Sequence, residues 1–227
     1  MPAIRRFTLL CAVVAAAPAL RAELPAPADR PEEWLLAFVD VETTGLVPGH
    51  HEMIDIGVIL ADLEGEEIDR LFLRIMPQHP ERTSPEAAAV NGFAVERWNE
   101  LGALRPADAA ERLLAFHRRH AGGKRIVMVA HNSQFDAAFL DHFMRSVGRS
   151  RNDLYYYYVL DIPSMAWGLG LRLLHGQRLA AHFEVPDEPR TALEHTGITG
   201  ADLNLRLYRR LLETGNGRRA GETPEAR

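Results

Sequence analysis

The stretch "WLLAFVDVE", residues 34–42, constrains the fold more than any other. Side chains of a strand alternate between its faces. Trp34, Leu36 and Phe38 therefore share one side with Asp40 and Glu42, while Leu35, Ala37, Val39 and Val41 take the other. A strand apolar on both faces belongs in the middle of a sheet covered above and below. Two carboxylates ending one of those faces repel each other unless they are protonated or share a cation. The pattern predicts a positive partner at that end of the sheet.

Further along, Ile54, Ile56 and Val58 alternate, turn residues cluster around Gly65, and alternation resumes from Ile68 to Ile75. This reads as two antiparallel strands completing a three-strand meander. Residues 83–98 open like a capped helix, and 106–121 carry apolar residues at helical spacing before the Gly122-Gly123 stop. Residues 124–132 read as a buried strand and 133–148 as an amphipathic helix with Ser133 as its cap. Residues 154–162, "LYYYYVLDI", read as another strand, 163–174 and 177–185 as short helices, and 200–213 as a last helix. The expected fold class is α/β, a mixed central sheet with an antiparallel meander followed by parallel strands and flanking helices.

The ends have their own grammar. Arg5 and Arg6 precede an apolar run from Phe7 to about Leu20, with small residues for cleavage at Ala19 or Ala22, so residues 1–22 read as an export signal. The run is short for a membrane span, and no stable membrane contact is expected after cleavage. Cleavage removes Cys11, the one cysteine, and with it any disulfide or thiolate chemistry. It also removes three arginines and no acid, taking the formal charge from −5 to −8. Any nucleic-acid contact is then local rather than a product of global charge. Residues 23–33 read as an extended Pro-rich linker, 34–213 as the domain, and 214–227 as a disordered tail.

Two more segments carry acids or histidine. In "VAHNSQFDAAFL" an apolar strand gives way to a polar turn and then to Asp136 in the first turn of a helix; "EHTGITGADLN" contains His195, Gly200 and Asp202. With these residues the chain resembles the DnaQ-like, or DEDDh, 3′-to-5′ exonucleases of the ribonuclease-H-like superfamily, over residues 34–213. "DVETTG", residues 40–45, matches the first motif, Asp-x-Glu-Thr-x-Gly. "HNSQFD", residues 131–136, matches the second.

The resemblance implies two divalent ions, Mg²⁺ or Mn²⁺, bridging the scissile phosphate, with Asp40 touching both, Glu42 one, and Asp136 acting largely through water. Oxygen ligands suit such hard cations, and paired ions about 4 Å apart stabilise the attacking and departing oxygens together. It further implies His195 as general base, backbone around Thr43 beside the terminal 3′-hydroxyl, and Leu46 against the last base. The implied partner is single-stranded DNA or RNA, with a homodimer compatible with the family. The implied protein is an exported exonuclease, periplasmic or secreted.

The third motif departs from the family's His-x-Ala-x-x-Asp, because Gly200 stands where the final ligand belongs. Asp202 lies two residues on, and two residues turn a helix by about 200°. Aligned on Ala201, Leu205, Tyr208 and Leu212, the helix puts Asp202 with Arg206 and Arg209 on a polar face. Asp202 reaches the ions only if "TGITG", residues 196–200, stays unwound and the helix starts at Asp202. That arrangement is the expectation for an active enzyme. The alternative is a nucleic-acid-binding protein with weak or absent turnover. His50 and His51 read as loop, and Arg118, Arg119, Lys124 and Arg125 as a solvated basic cluster.

Overall fold

β1 (Trp34–Thr43) occupies the centre of a five-stranded sheet, where its two apolar faces need to be. The computed structural model describes residues 26–221, so the export signal of residues 1–22 lies outside the described residues. β2 (Met53–Ala61) and β3 (Glu67–Arg74) extend the sheet antiparallel on one side. β4 (Arg125–Ala130) and β5 (Val159–Asp161) extend it parallel on the other, giving the order β3-β2-β1-β4-β5. The meander and the mixed sheet are as expected from the alternation.

Leu35, Val39 and Val41 pack under α3 (Pro106–Ala121) and α4 (Ser133–Ser146), against Leu113, Phe139 and Met144. Trp34, Leu36 and Phe38 face α5 (Ile162–Gly168), α6 (Gly176–Phe183) and α7 (Gly197–Gly221), against Ile162, Leu179 and Leu207. Full burial of each such side chain stabilises the fold by about 1.5–3 kcal/mol. A smaller cluster of Ile54, Phe93 and Trp98 fastens α1 (Pro85–Asn91) and α2 (Val95–Glu100) to β2, where the Trp98 indole donates to the Ile54 carbonyl at 3.0 Å. The Phe93 N–H donates to Asn91 Oδ1 at 3.0 Å and so links this cluster to Asn91.

β4 pairs with β1 only as far as Phe38, whereas β2 runs beside it to Thr43. Asp40 and Glu42 therefore project past the carboxyl end of β4, at the strand where pairing changes from antiparallel to parallel. Open α/β sheets bind ligands at such switch points.

Four expectations change. Residues 155–158 are not strand; β5 is confined to Val159–Asp161, which pairs with Met128–Ala130 of β4. Asn132, in a left-handed conformation, stands at the N-cap of α4, and Ser133 begins the helix, its N–H donating to Asp161 at 3.0 Å. Residues 31–33 of the supposed extended linker form a 3₁₀ turn. α7 is much longer than the expected 200–213: it starts at Gly197, before both Gly200 and the Asp202 start that an active Asp202 required, and continues through Gly221 into the expected tail.

Glycine explains the early start of α7. A Cβ on Gly57 would overlap the backbone of Gly197 and Ile198, one on Gly197 would overlap the Asp40 carbonyl, and one on Gly200 would overlap the Asp40 carboxylate. The first turn of α7 thus lies flush on β1 and β2, a close approach open only to residues without side chains.

Candidate active site

Asp40, Glu42, Asp136 and His195 line one cavity of about 600 Å³, with Thr43 and Leu46 at its wall and rim. Strand alternation brings Asp40 and Glu42 to it from β1. Asp136 arrives from the first turn of α4 and accepts a hydrogen bond from the Val41 N–H at 3.1 Å, which ties α4 to the strand between the two acids. Asp136 is buried, at 2% exposure, and that bond employs one of its two oxygens.

Burial raises all three carboxyl groups, and mutual repulsion adds to it. Glu42 is pushed up to about 9 by burial and then by Asp55 and Glu188. Asp136 is raised to about 8, chiefly by burial. Asp40 is raised well above the ordinary range by burial and by Asp136, Glu42 and Glu188. Among the described residues, no N–H or O–H donates to the Asp40 carboxylate. The group carries the charge pattern that favours either protons or a cation.

His195 stands between acids. Its Nε2 is 3.2 Å from Glu42 Oε1, while Nδ1 lies 3.2 Å from the Pro189 carbonyl and 3.6 Å from Glu188 Oε2. The carbonyl can only accept, so Nδ1 carries the proton in that bond. The segment before His195 is bent by Leu193, whose φ of +78° lies in the region leucine seldom enters.

The rim is built by loop 44–52. Thr44 accepts from the Glu52 N–H through its hydroxyl and donates its own N–H to the Glu52 carbonyl. The His51 ring lies so close over Gly45 that a Cβ there would overlap it, and its Nδ1 accepts from the Val47 N–H at 3.0 Å. Leu46 is thereby held outward at 79% exposure, across from Val90 at 51%. Asn91, buried, donates to the Thr43 carbonyl at 2.9 Å and fixes the end of β1.

Residues 37–166 match the RNase_T family, described as exonuclease, and these are more than half of the chain. The chain belongs to the RNase_T exonuclease family. It is similar to the 3′-5′ DNA exonuclease Cap18 of Escherichia coli, 26% identical over 79% of this chain and 92% of that protein. Among solved structures, the nuclease domain of 3′hExo, a DEDDh family member bound to rAMP, superposes with a TM-score of 0.65 at 14% identity, covering 80% of this chain and 92% of that one. Exonuclease I of E. coli in complex with a dT13 oligonucleotide gives 0.64 at 14% identity, covering 83% of this chain and 42% of that one. The DEDDh resemblance and the ribonuclease-H-like fold expected from two motifs are both borne out. The protein is a DEDDh-type 3′-to-5′ exonuclease, a hydrolase acting on nucleic acids.

Exonucleases of this family use divalent metal ions. The donors here fit such ions in kind: buried, crowded carboxylates that are like-charged without a cation. Among the described residues no three acidic or histidine side chains close around a single point. Mg²⁺ commonly takes one or two carboxylates and completes its shell with water and substrate phosphate oxygens, which suits donors spread along a cavity wall.

Asp202 is not brought to this site. Because α7 is already helical at Gly197, Asp202 points away from Asp40 and pairs with Arg206 at 2.9 Å and Arg70 at 3.3 Å. The expectation that it replaces the missing ligand is corrected. Gly200 instead packs on the Asp40 carboxylate, as the ungapped register required.

Two acids of this exonuclease were missed. Asp55, directly across from Glu42 on β2 and 1% exposed, accepts from the Gly197 N–H at 2.9 Å and holds the start of α7; burial raises it to about 7. Glu188 lines the cavity from the loop after α6. Asp55 falls between the alternating Ile54, Ile56 and Val58, where an acid ordinarily faces water, so its burial shows only once both faces of β2 are covered. Glu188, in an exposed-looking "DEPR", gives no local signal.

Proposed function

We propose that this exonuclease shortens single-stranded DNA or RNA from the 3′ end, with two divalent ions, Mg²⁺ or Mn²⁺, as cofactors, and that it acts after export, in a periplasm or outside the cell. The observation that carries the reading is the meeting of Asp40, Glu42, Asp136 and His195 on one cavity. Ions held by Asp40, Glu42 and Asp136 would supply Lewis-acid stabilisation of the attacking and departing oxygens.

The chain does the rest. His195, with Nδ1 donating to the Pro189 carbonyl, has Nε2 as its proton-accepting nitrogen, 3.2 Å from Glu42 Oε1, where it would take a proton from the attacking water. Asp136 keeps one oxygen for the cavity while the other anchors it to β1. Leu46 and Val90 offer an apolar rim on which a terminal base would stack, and Thr43, in the cavity wall, would adjoin the terminal 3′-hydroxyl. The likeness to a protein solved with dT13 and to one solved with rAMP supports an unpaired 3′ end without choosing between DNA and RNA.

Gly200 favours a second reading, retained binding with little turnover. One assay separates them. The protein is incubated with 5′-labelled single strands of DNA and RNA, and with blunt duplexes, in Mg²⁺, Mn²⁺ or chelator. A ladder from the 3′ end on single strands, abolished by chelator, supports the proposal. Retention of substrate without shortening supports binding alone. Export is tested by fusing residues 1–22 to a reporter that is active only outside the cytoplasm; a silent reporter contradicts it.

A further inference from the structure

The family's fourth carboxylate is absent from position 200, where glycine packs against the Asp40 side chain. Any Cβ there overlaps the Asp40 carboxylate, because Gly57, Gly197 and Gly200 seat the first turn of α7 directly on β1 and β2. Beside Asp40, however, a second cleft of about 340 Å³ has Asp40, Gly200, Asn204 and Glu188 in its wall. Glu188 also lines the main cavity, so it stands at the junction of the two.

The geometry points to Glu188 as the carboxylate that takes over ion binding from the missing one at Gly200. The inference rests on the two-ion reading above. The neighbours of Glu188 leave it unsatisfied: His195 Nδ1 and Arg190 Nη1 each lie 3.6 Å away, beyond hydrogen-bonding distance. The His195 Nδ1 proton is already directed to Pro189, and Arg190 makes its close contact with Asp187 at 2.9 Å. The Glu188 side chain is 15% exposed. Arg190 reaches Glu188 only at ion-pair distance while bonded to Asp187, so a carboxylate this withdrawn from water, beside Asp40 and Glu42 and accepting no hydrogen bond, gains from a further cation at the site. Its place on a loop after α6, rather than on α7, is what the close seating of α7 demands.

Mn²⁺ alone is titrated into full-length protein, followed by calorimetry and by the rise in Tm. Glu188→Gln is expected to weaken Mn²⁺ binding by at least about ten-fold, with Glu188→Ala giving a like loss and Asp202→Asn binding as the unmutated chain does. In the absence of Mn²⁺, Glu188→Gln is expected to melt no lower than the unmutated protein, since it removes a charge from a crowded group. Glu188→Gln that binds Mn²⁺ normally while Asp40→Asn does not would overturn the assignment and leave the two-ion reading standing. Normal Mn²⁺ binding with a shifted pH–rate profile would also overturn it, making Glu188 a positioning residue for His195. An unmutated protein that binds no Mn²⁺ would overturn the two-ion reading and this assignment together.

Discussion

His195 faces Glu42 with one ring nitrogen and the Pro189 carbonyl with the other, a division that suits a base rather than an ion ligand. Removal of a general base lowers a rate by about 10²–10⁴-fold. His195→Ala is therefore expected to lose activity on that scale while keeping Mn²⁺ affinity within a few-fold; a loss of affinity as severe as that of Asp40→Asn would contradict the role. Asp202 belongs to the opposite case. Its partners Arg70 and Arg206 are partly exposed, and such pairs are worth about 0–1 kcal/mol. Asp202→Ala should leave nuclease activity nearly intact and shift Tm only slightly, and a dead enzyme would restore Asp202 to the site.

Among the elements, α7 lies flush on the strands that carry the site, and the glycines at that contact and along the helix divide by function. Gly57→Ala would press a methyl into the backbone of α7, and overpacking of this kind costs about 1–3 kcal/mol. Gly217, on the same helix, has open space around it, so Gly217→Ala should stabilise by about 0.5–1 kcal/mol. Chemical denaturation of the two variants checks both signs, and a stabilised Gly57→Ala would refute the close seating. These glycines also show why the sequence was only partly legible. Alternation along β1 is local, so Asp40 and Glu42 could be placed on one face before any fold was known. Glycine has two meanings, helix breaking and close approach, and in "TGITG" the second prevailed because β2 presents Gly57 to it. The tyrosines of 155–158 favour strands, yet that segment keeps a single backbone bond to β4, Tyr156 N–H to the Ile126 carbonyl at 2.7 Å, and regular pairing begins only at Val159. Glu188 reaches the cavity through tertiary packing that no spacing along the chain records.

For the molecule as a whole, the acid cavity couples stability to pH and to cations. Glu42 near 9, Asp136 near 8 and Asp55 near 7 all lie above their unfolded values. The folded state then holds more protons, so their contribution is fully present below about pH 4 and is lost as pH rises through those folded values. Buried His117, lowered to about 4 by burial, acts the other way, but only below about pH 6.5. Between pH 7 and 9 the acids act alone. Metal-free protein should lose Tm across that interval and regain it on addition of Mn²⁺; a flat profile would mean that the carboxylates are not crowded as described. Whether the cavity processes a free 3′ end is decided by giving the protein linear and circular single-stranded DNA of one sequence in Mg²⁺ or Mn²⁺, beside Asp40→Asn. The linear strand should be degraded to short products, the circle should survive, and Asp40→Asn should spare both. A nicked circle, or a linear strand left whole by the unmutated protein, would refute processing from a free 3′ end.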